Sequence, residues 1–221
     1  MIHMVSAIIT AAGENRRMTD DQKARGLDIQ HKLLLDIHGK PVIIKTLENV
    51  KNTGVKELVI VLGHFSCEIK FVLSDYLDEK IKIKVNPELN VELSDTLLNG
   101  VKSVKSGLCL CAAADQPTVS TDTMNKLIMK ALDSEKDMVT ILAREESGYL
   151  DSTKGLGMPF VCHSKLLRKY LSNKEGDLNP ILNDMLEDGV IFYGVNPYNS
   201  LELVNINQWD DYVTVLREIK L

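Results

Sequence analysis

Short apolar segments rich in β-branched residues alternate with segments of helical periodicity, and this alternation limits the possible folds more than any other feature. Strands are predicted over residues 5–10, 57–62, 81–85, 108–114 and 138–143. Helices are predicted between them, over residues 41–50, 64–77, 96–104 and 120–132. Strands that alternate with helices form a mostly parallel sheet with helices on both faces. The sequence therefore predicts an α/β fold, a three-layer sandwich around a mostly parallel, Rossmann-like sheet.

The length of 221 residues favours one large domain, spanning residues 1–221, over two small ones. In the last third the predicted elements are shorter: strands at 159–162, 190–195 and 202–206, and helices at 166–171, 180–186 and 209–219. One segment breaks the alternation, because residues 19–31 are polar and show no periodicity. We predict a mobile loop there, and loops beside a site often carry function.

The overall charge argues against one class of partner. The formal net charge is −5, whereas binding to nucleic acid or to an anionic membrane needs a basic face. No apolar run approaches the about 20 residues that cross a bilayer. The apolar start, residues 1–12, lacks a basic region and a cleavage site, which indicates a first strand rather than a signal peptide. We therefore expect a cytoplasmic protein, a monomer or a small homo-oligomer, that binds neither nucleic acid nor membrane.

The four cysteines and five histidines show no metal-ligand spacing. Cys109 and Cys111 alternate within an apolar strand, where a reduced thiol behaves as a small hydrophobic group. Cys67 and Cys162 are isolated in the sequence. All four are expected to be buried and reduced, and the histidines are expected to be structural or surface residues.

A candidate anion-binding loop follows the first strand. Ala11, Ala12 and Gly13 are small enough for backbone N–H groups to close on an anionic group. Arg17 adds a planar set of donors suited to phosphate oxygens, and Lys32 adds a point charge. The same residues also fit an ordinary tight turn with a solvent-exposed Arg and Lys.

A second candidate feature is an acidic residue at the end of an apolar strand. Asp115 directly follows the uninterrupted apolar run 108–114. In an open α/β sheet, ligands bind beyond the carboxyl ends of the strands. Asp115 is therefore a candidate ligand-binding residue. A lone Asp at this position also serves as a turn or helix cap.

Several motifs occur together in one order. Residues 11–18 read A-A-G-E-N-R-R-M, and K-L-L at 32–34, G-K-P at 39–41 and A-D-Q-P at 114–117 follow. The chain resembles the nucleotidyltransferases of the molybdenum-cofactor type, whose pattern is A-A-G-x-S-x-R-M, K-L-L, G-K-P and G-D-Q-P. The resemblance covers most of the chain and implies a fold of the nucleotide-diphospho-sugar transferase type. Asn15 stands where the family has Ser.

The resemblance implies a reaction and residues that perform it. An oxygen of an acceptor phosphate attacks the α-phosphorus of an NTP, and pyrophosphate leaves. Arg17 and Lys32 are implied to steady the triphosphate, and Asp115 to bind Mg²⁺. In this scheme the predicted loop 19–31 closes over the bound triphosphate.

The family's second metal position lies near the C-terminus, in D-I-D-T-P-E-D or N-I-N-T-P-E-D. Here residues 205–211 read N-I-N-Q-W-D-D. The resemblance therefore carries metal binding to the amide oxygen of Asn205. Asn207 can also cap the last helix.

The resemblance also concerns the base of the nucleotide. A-A-G in the loop is more typical of cytidine- and uridine-using members and A-G-G of guanine-using ones, so Ala12 favours CTP. The base is met by a segment similar to G-M-S-S-S-L-R-x-G, and residues 92–100 here read E-L-S-D-T-L-L-N-G. Ser94, Thr96 and Gly100 match, which implies that they bind nucleotide. Ser94 alternatively caps a helix.

The expected function is Mg²⁺-dependent transfer of CMP from CTP to a phosphorylated small-molecule acceptor, a molybdopterin-like cofactor, with release of pyrophosphate. The pterin-class motifs G-x-x-G-H-P and G-D-x-G are partly present, with Met158 and Asn179 in place of His and Gly. A cytidylyltransferase for methylerythritol, sugar or polyol phosphate is therefore an alternative. The substitutions at Asn15, Glu92 and Met158 motivate a third possibility, a non-catalytic nucleotide-binding module.

Overall fold

The computed structural model describes residues 5–105, 107–134, 136–172 and 176–219, and there strands and helices alternate as predicted. The strands are β1 (Val5–Ala11), β2 (Asp36–Ile37), β3 (Lys40–Pro41), β4 (Glu57–Leu62), β5 (Ile81–Val85), β6 (Leu108–Ala113), β7 (Met138–Leu142), β8 (Gly148–Leu150), β9 (Phe160–His163) and β10 (Ile191–Val195). The helices are α1 (Arg16–Ala24), α2 (Val42–Asn52), α3 (Ser66–Leu73), α4 (Leu93–Ser103), α5 (Thr121–Leu132), α6 (Ser164–Leu171), α7 (Leu178–Glu187) and α8 (Trp209–Glu218). None of the helices in these residues has the length and apolar character needed to cross a membrane.

Most strands form one large sheet, in the order β5-β4-β1-β6-β9-β7-β10-β8. β5, β4, β1 and β6 are parallel neighbours, and β7 is parallel to β10. β9 lies antiparallel between β6 and β7, and β8 is antiparallel at the edge. Among the described residues, six of the eight strands in this sheet thus share one direction. The predicted α/β fold with a mostly parallel sheet is confirmed.

Helices cover both faces of the sheet because its central strands are apolar on both sides. Every residue of β1 and of β4 is buried. Buried side chains of α2, α3, α5 and α8 pack on one face, and those of α4, α6 and α7 pack on the other. Parallel strands enclosed in this way read as continuous apolar runs rather than as alternating patterns.

The order of the strands reverses next to β1. From β1 the chain adds β4 and then β5 on one side, and α4 then crosses back over β4 and β1 to reach β6 on the other side. At such a reversal the connections after neighbouring strands diverge and leave a crevice at their carboxyl ends. The crevice here lies beyond the ends of β1 and β6.

The segment predicted as a mobile loop, residues 19–31, is helical in its first half, because α1 extends into it. Asp21 accepts hydrogen bonds from the Arg25 guanidinium and from the backbone N–H of Trp209. A polar helix that is held by such tertiary contacts has no apolar stripe by which to recognise it. Residues 25–31 are turn and irregular chain, and their closing over a triphosphate stays a prediction.

The strand predicted over residues 202–206 is wrong, because a 3₁₀ turn, Ser200–Leu203, begins this segment. Glu202 is fully buried. Its carboxylate accepts hydrogen bonds from three groups: the N–H of Ser120, the hydroxyl of Thr123 and the N–H of Tyr198. Beyond the turn, the Ile206 N–H donates to the carbonyl of Asp115 at 2.9 Å. These bonds hold the C-terminal segment against the end of β6.

Three of the four cysteines are buried as predicted, and Cys67 is not. Cys109, Cys111 and Cys162 are 0% exposed within β6 and β9, and burial raises the pKa of the Cys162 thiol. Cys67 is exposed in the first turn of α3. Ile69 is buried on that helix, and residues two positions apart on a helix lie on nearly opposite sides. Cys67 therefore faces away from the core.

Candidate active site

A cleft of about 300 Å³ opens at the carboxyl ends of β1 and β6, at the reversal in strand order. A second cavity, of about 550 Å³, adjoins it on the side of α1. The two cavities share part of their lining: Gly13, Arg17, Lys32, Val91 and Asn207. Their volumes are in the range of small-molecule sites.

Asn15 fixes the loop between β1 and α1. Its φ of 65° is left-handed, a conformation that Asn adopts more readily than most residues. Its side-chain amide donates to Thr19 Oγ1 and to the Gln30 carbonyl, and its Oδ1 accepts the N–H of Lys32 at 3.0 Å. A Ser hydroxyl has neither the reach nor the number of donors for these three bonds. Asn15 therefore ties the loop to the backbone of Lys32.

Two glycines give the cleft its shape. A Cβ on Gly63, just after β4, would lie 2.8 Å from the carbonyl oxygen of Ala12, so only Gly permits this close approach. A Cβ on Gly13 would meet no atom within 4 Å. Because Gly13 borders both cavities, its missing side chain leaves the loop backbone open to a ligand.

Four polar side chains from distant parts of the sequence meet in the cleft. Lys32 Nζ lies 2.5 Å from Asp115 Oδ2 and 3.1 Å from Asn207 Oδ1. Arg17 Nη2 lies 3.1 Å from the same Asn207 oxygen. The side chains of Lys32 and Asp115 are only 14% and 15% exposed. Two cations and one carboxylate leave a positive charge in a largely closed space, which suits an anionic ligand.

Asn205 reaches the cleft from the same segment as Asn207. Its Oδ1 accepts a hydrogen bond of 3.0 Å from Gln116 Nε2, which also donates to the Met158 carbonyl at 2.9 Å. Residues two positions apart in extended chain lie on the same side. Both asparagines therefore point towards the end of β6.

Most of the predicted site residues line the cleft: Ala11, Ala12, Gly13, Arg17, Lys32, Thr96, Asp115 and Asn205. Ser94 and Gly100 do not line it. Ser94 is buried and its Oγ accepts the N–H of Gly176 at 3.0 Å. Gly100 faces β1, where a Cβ would lie 2.6 Å from Ile8 Cγ2. These two residues position α4, and α4 in turn presents Thr96.

The sequence interpretation missed the position of Asn207. It was a candidate helix cap, but the cap of α8 is Gln208, whose capping box is completed by Asp211. The available signal was the N-I-N alternation, which places residues 205 and 207 on the same side.

The position of His31 beside the cleft was also missed. A structural or surface role was expected, and its Nδ1 does accept the Leu33 N–H, but the ring, at 5% exposure, also lines the cleft. Burial lowers the pKa of His31 to about 4, the Lys32 charge acts in the same direction, and the adjacent backbone of Gly13 opposes it. No motif in the sequence indicates this position.

Oxygen atoms are the groups in the cleft that suit a metal ion. Asp115 Oδ1 is buried and has no hydrogen-bond partner within the described residues. Asn205 Oδ1 retains a lone pair beside its bond from Gln116. No group of three or more His, Cys, Asp or Glu residues in the described ranges could hold a metal. One carboxylate and one amide oxygen fit a hard cation that keeps several water ligands, such as Mg²⁺.

Comparison with solved structures finds the same architecture in nucleotide-using enzymes. A nucleotidyl transferase from Methanothermobacter thermautotroptrophicus is 41% identical, with a TM-score of 0.90 over 97% of this chain and 96% of that chain. A 4-diphosphocytidyl-2C-methyl-D-erythritolsynthase from Anaerococcus prevotii is 18% identical, with a TM-score of 0.70 over 97% and 95%. At 18% identity, the likeness to the Anaerococcus prevotii enzyme shows a shared fold only.

Among curated proteins, the bifunctional protein GlmU of Staphylococcus epidermidis is 25% identical over 171 residues. The matched region is 77% of this chain and 34% of that protein. The chain thus spans about a third of the length of the curated relatives it matches.

A family model, the MobA-like NTP transferase domain, matches residues 7–188. This range includes the β1 loop and the three charged side chains of the cleft, Arg17, Lys32 and Asp115, whereas Asn205 and Asn207 lie beyond it. Family pattern, fold and cleft agree. The chain belongs to the MobA-like NTP transferase domain family, and it is a nucleotidyltransferase.

Proposed function

We propose that the protein transfers CMP from CTP, with Mg²⁺, to a phosphorylated small molecule, and that a molybdopterin-like cofactor is the first acceptor to test. The observation that carries the proposal is the meeting of Arg17, Lys32 and Asp115 beside the glycine-containing loop after β1. The two cations suit a triphosphate, and the carboxylate suits the metal ion that accompanies it.

The triphosphate is proposed to lie between the β1 loop and Lys32. α1 begins at this loop, and Asn15 at its N-cap makes no side-chain bond to the first-turn amides. The N-terminus of a helix with unclaimed N–H groups attracts anions. Lys32 Nζ donates to Asp115 and Asn207, and an ammonium group has three donors. One N–H of Lys32 therefore stays available for a phosphate oxygen.

Asp115 is proposed as the carboxylate ligand of Mg²⁺ and Asn205 as its amide ligand. The Oδ1 atom of Asp115, which lacks a partner in the described part of the chain, is free to coordinate. When bound, the ion supplies neutralisation of phosphate charge near the α-phosphorus. A neutral amide binds Mg²⁺ more weakly than a carboxylate does, so we expect metal affinity to depend on the nucleotide.

The reaction is proposed to proceed by positioning and charge neutralisation. An oxygen of the acceptor phosphate forms a bond to the α-phosphorus, the bond from that phosphorus to the β-phosphate oxygen breaks, and pyrophosphate leaves with the electron pair. A phosphate monoester is already largely dianionic near neutral pH, so no general base is needed. Arg17 and Lys32 would stabilise the charge that develops on pyrophosphate.

CTP is proposed over other nucleotides because A-A-G at residues 11–13 is the form that the chain shares with cytidine- and uridine-using members. The base is proposed to lie against the ends of β1 and α4, where Thr96 lines the cleft. The Thr96 hydroxyl accepts a hydrogen bond from Asn86 Nδ2 at 2.9 Å, which fixes its orientation. The hydroxyl donates its own hydrogen to the Glu92 carbonyl at 3.3 Å, and one lone pair of its oxygen stays available to a donor on the ligand.

A methylerythritol, sugar or polyol phosphate is the second class of acceptor. Met158 lines the cleft where the pterin-class pattern has His, so a polar contact to a pterin is missing at this position. The likeness in fold to the Anaerococcus prevotii enzyme, named for a methylerythritol product, supports including this class in the test.

The test begins with nucleotide binding and continues with turnover. CTP, UTP, GTP and ATP are titrated with and without Mg²⁺ by calorimetry, and pyrophosphate release is then measured with each acceptor class. We expect Mg²⁺-dependent binding that is tightest for CTP, and turnover with one acceptor. Asp115→Asn should lower kcat by at least 100-fold, the typical effect of losing one such electrostatic contact.

Asp122→Asn is the matched control, because Asp122 is exposed on α5 and does not line either cavity. It should retain wild-type turnover. Undiminished turnover in Asp115→Asn would refute the metal assignment. Equal binding of all four nucleotides would refute the preference for CTP and leave the transferase site in place.

A further inference from the structure

His31 forms the inner wall of the cleft between the β1 loop and Lys32. It lies directly before the 3₁₀ turn Lys32–Leu34 and is 5% exposed. Its ring packs on Phe65 with a centroid distance of 4.6 Å. The reaction proposed above makes no use of this buried polar side chain.

The backbone determines which ring nitrogen of His31 carries the hydrogen. The N–H of Leu33 donates to Nδ1 at 3.2 Å, so Nδ1 is an acceptor and has no hydrogen. Burial lowers the pKa of His31 to about 4, and the ring is therefore neutral at pH 7. A neutral imidazole without a hydrogen on Nδ1 carries it on Nε2. Nε2 is thus an N–H donor.

This donor is poorly paired in the described chain. Nε2 is buried and has no partner at hydrogen-bond distance and angle among the described residues, and the Gly13 backbone, the acceptor that acts on the ring, lies outside that geometry. Leaving a buried donor unpaired costs about 1–3 kcal/mol, and most buried polar groups in native proteins are paired. The ring of His31 lines the cleft together with Gly13 and Lys32. An acceptor supplied by a ligand would remove the cost.

We propose that His31 is a nucleotide-binding residue whose Nε2–H donates to a phosphate oxygen of the bound nucleotide, an inference that rests on the proposed function. Lys32, the next residue, and Arg17 mark the anionic end of the ligand in this part of the cleft. A neutral donor adds a hydrogen bond there without adding a third positive charge. Because Nε2 is covered in the free chain, the loop at Gly13 has to shift as the ligand enters.

Two substitutions separate the functions of the two ring nitrogens. In His31→Gln the side-chain NH₂ reaches the position of Nε2, so the donor is kept and the acceptor for Leu33 is lost. In His31→Asn the amide oxygen lies near the position of Nδ1, so the acceptor is kept and the donor is lost. A ligand role is therefore preserved by Gln, whereas a purely structural role in the 3₁₀ turn is preserved by Asn.

The experiment measures binding of CTP, of inorganic tripolyphosphate and of cytidine, with Mg²⁺ at pH 7.5, by calorimetry on the wild-type chain and both variants. Hydrogen bonds to charged groups are among the stronger ones. We expect His31→Asn to weaken binding of CTP and tripolyphosphate by about 10-fold or more and to leave cytidine unchanged. His31→Gln should stay within about 3-fold of wild type for all three, although its melting temperature falls because the bond from Leu33 is lost.

Several results would overturn this role of His31. They are wild-type affinity in His31→Asn, equal losses in both variants, or a loss confined to cytidine. A wild-type chain that binds tripolyphosphate but none of the four nucleotides would refute the proposed function alone, and the tripolyphosphate values would still decide the role of His31. A wild-type chain that binds neither would refute both.

Discussion

Lys32 and Asp115 neutralise each other in a place that is largely closed to water. Their charged atoms are 2.5 Å apart, and both side chains are less than one-fifth exposed, at 14% and 15%. An ion pair in such surroundings contributes little net stability, but removing one partner leaves the other charge poorly solvated. In the proposed reaction the same pair presents one cation to the phosphates and one carboxylate to the metal. Lys32 and Asp115 therefore hold each other's side chain in position before a ligand binds.

Breaking this pair should cost stability, and removing both charges should restore it. We expect Lys32→Gln to lower the free energy of unfolding by about 1–3 kcal/mol, because Asp115 then stays buried without a cation. The double variant Lys32→Gln/Asp115→Asn should regain most of that loss and remain inactive. Urea unfolding of both variants measures the effect, with Lys126→Gln on the exposed side of α5 as control. Losses that simply add in the double variant would contradict coupling between the two charges.

His31 should make stability depend on pH in a defined window. Its pKa is about 4 in the folded chain and 6.5 ordinarily, so the unfolded chain takes up a proton first as the pH falls. Stability from the neutral ring is thus complete above pH 6.5 and is lost progressively towards pH 4. Between pH 7 and pH 5 we expect a loss of about 2 kcal/mol from this group.

The pH profile of His31→Asn serves as the reference for that loss. The charged and titratable groups that act on the ring are Lys32, Glu68 and His64, and all three are kept in the variant. Other groups that titrate in the window are also common to both proteins, so the difference between the two profiles reports His31. Parallel profiles in urea unfolding at pH 5, 6 and 7 would exclude the effect.

Sequence could locate the charged residues of the site more readily than the polar ones. Asp115 ends an apolar run, and Arg17 and Lys32 flank a segment that departs from the α/β pattern, so each stands out locally. Asn207 and His31 do not, because their importance comes from contacts with residues remote in sequence or with a backbone N–H. Ser94 and Gly100 matched a family pattern, yet they support α4 from outside the cleft. A family motif includes residues that shape the backbone as well as residues that contact the ligand, and sequence alone does not distinguish the two kinds.

At the scale of elements, α4 is the helix whose placement shapes the cleft most directly. It crosses β4 and β1 on one face of the sheet. Gly100 allows this approach, since a Cβ there would lie 2.6 Å from Ile8 Cγ2 and 3.1 Å from Val61 Cγ2. Both neighbours are fully buried and have no free space into which to move.

Gly100→Ala should therefore destabilise the protein even though Ala is the better helix former. Overpacking costs about 1–3 kcal/mol, and the gain in helix propensity returns about 1 kcal/mol. We expect a net loss of up to about 2 kcal/mol in urea unfolding, with weaker CTP binding as α4 moves Thr96 away. Gly157→Ala, where a Cβ meets no atom within 4 Å, should have little effect on stability. Equal stability of the two variants would contradict the packing argument.

The elements that could be predicted are those whose stability is visible in their own residues. β1, β4 and β6 are apolar runs, and α2 and α5 carry apolar residues at helical spacing. α1 was not predicted, because its stability depends on the hydrogen bond that Asp21 accepts from the N–H of Trp209, 188 residues away. The 3₁₀ turn around Glu202 was not predicted, because its acidic side chain is buried and accepts hydrogen bonds from Ser120 and Thr123. Long-range polar contacts of this kind leave no periodic pattern.

At the scale of the whole molecule, the two-sided burial of the sheet should be visible in thiol reactivity. Cys109, Cys111 and Cys162 are 0% exposed, and burial raises the pKa of Cys111 and Cys162. We expect a thiol reagent such as DTNB to modify Cys67 alone in the folded protein and all four cysteines in urea. Cys67→Ser should abolish the reaction of the folded protein. Rapid modification of a second thiol under native conditions would mean that the sheet is less enclosed than described.

Asn207 connects cleft residues that a ribosome adds to the chain at very different times. It follows Arg17 by 190 residues and Lys32 by 175, and its oxygen lies between the two cations. A nascent chain ending before this residue already has the β1 loop, the pair of Lys32 and Asp115 and the parallel strands around them. It would nevertheless leave two positive groups facing each other without the oxygen that both contact. In the proposed site, nucleotide would then be retained only by polypeptides translated beyond Asn207, and prematurely terminated products would leave it free.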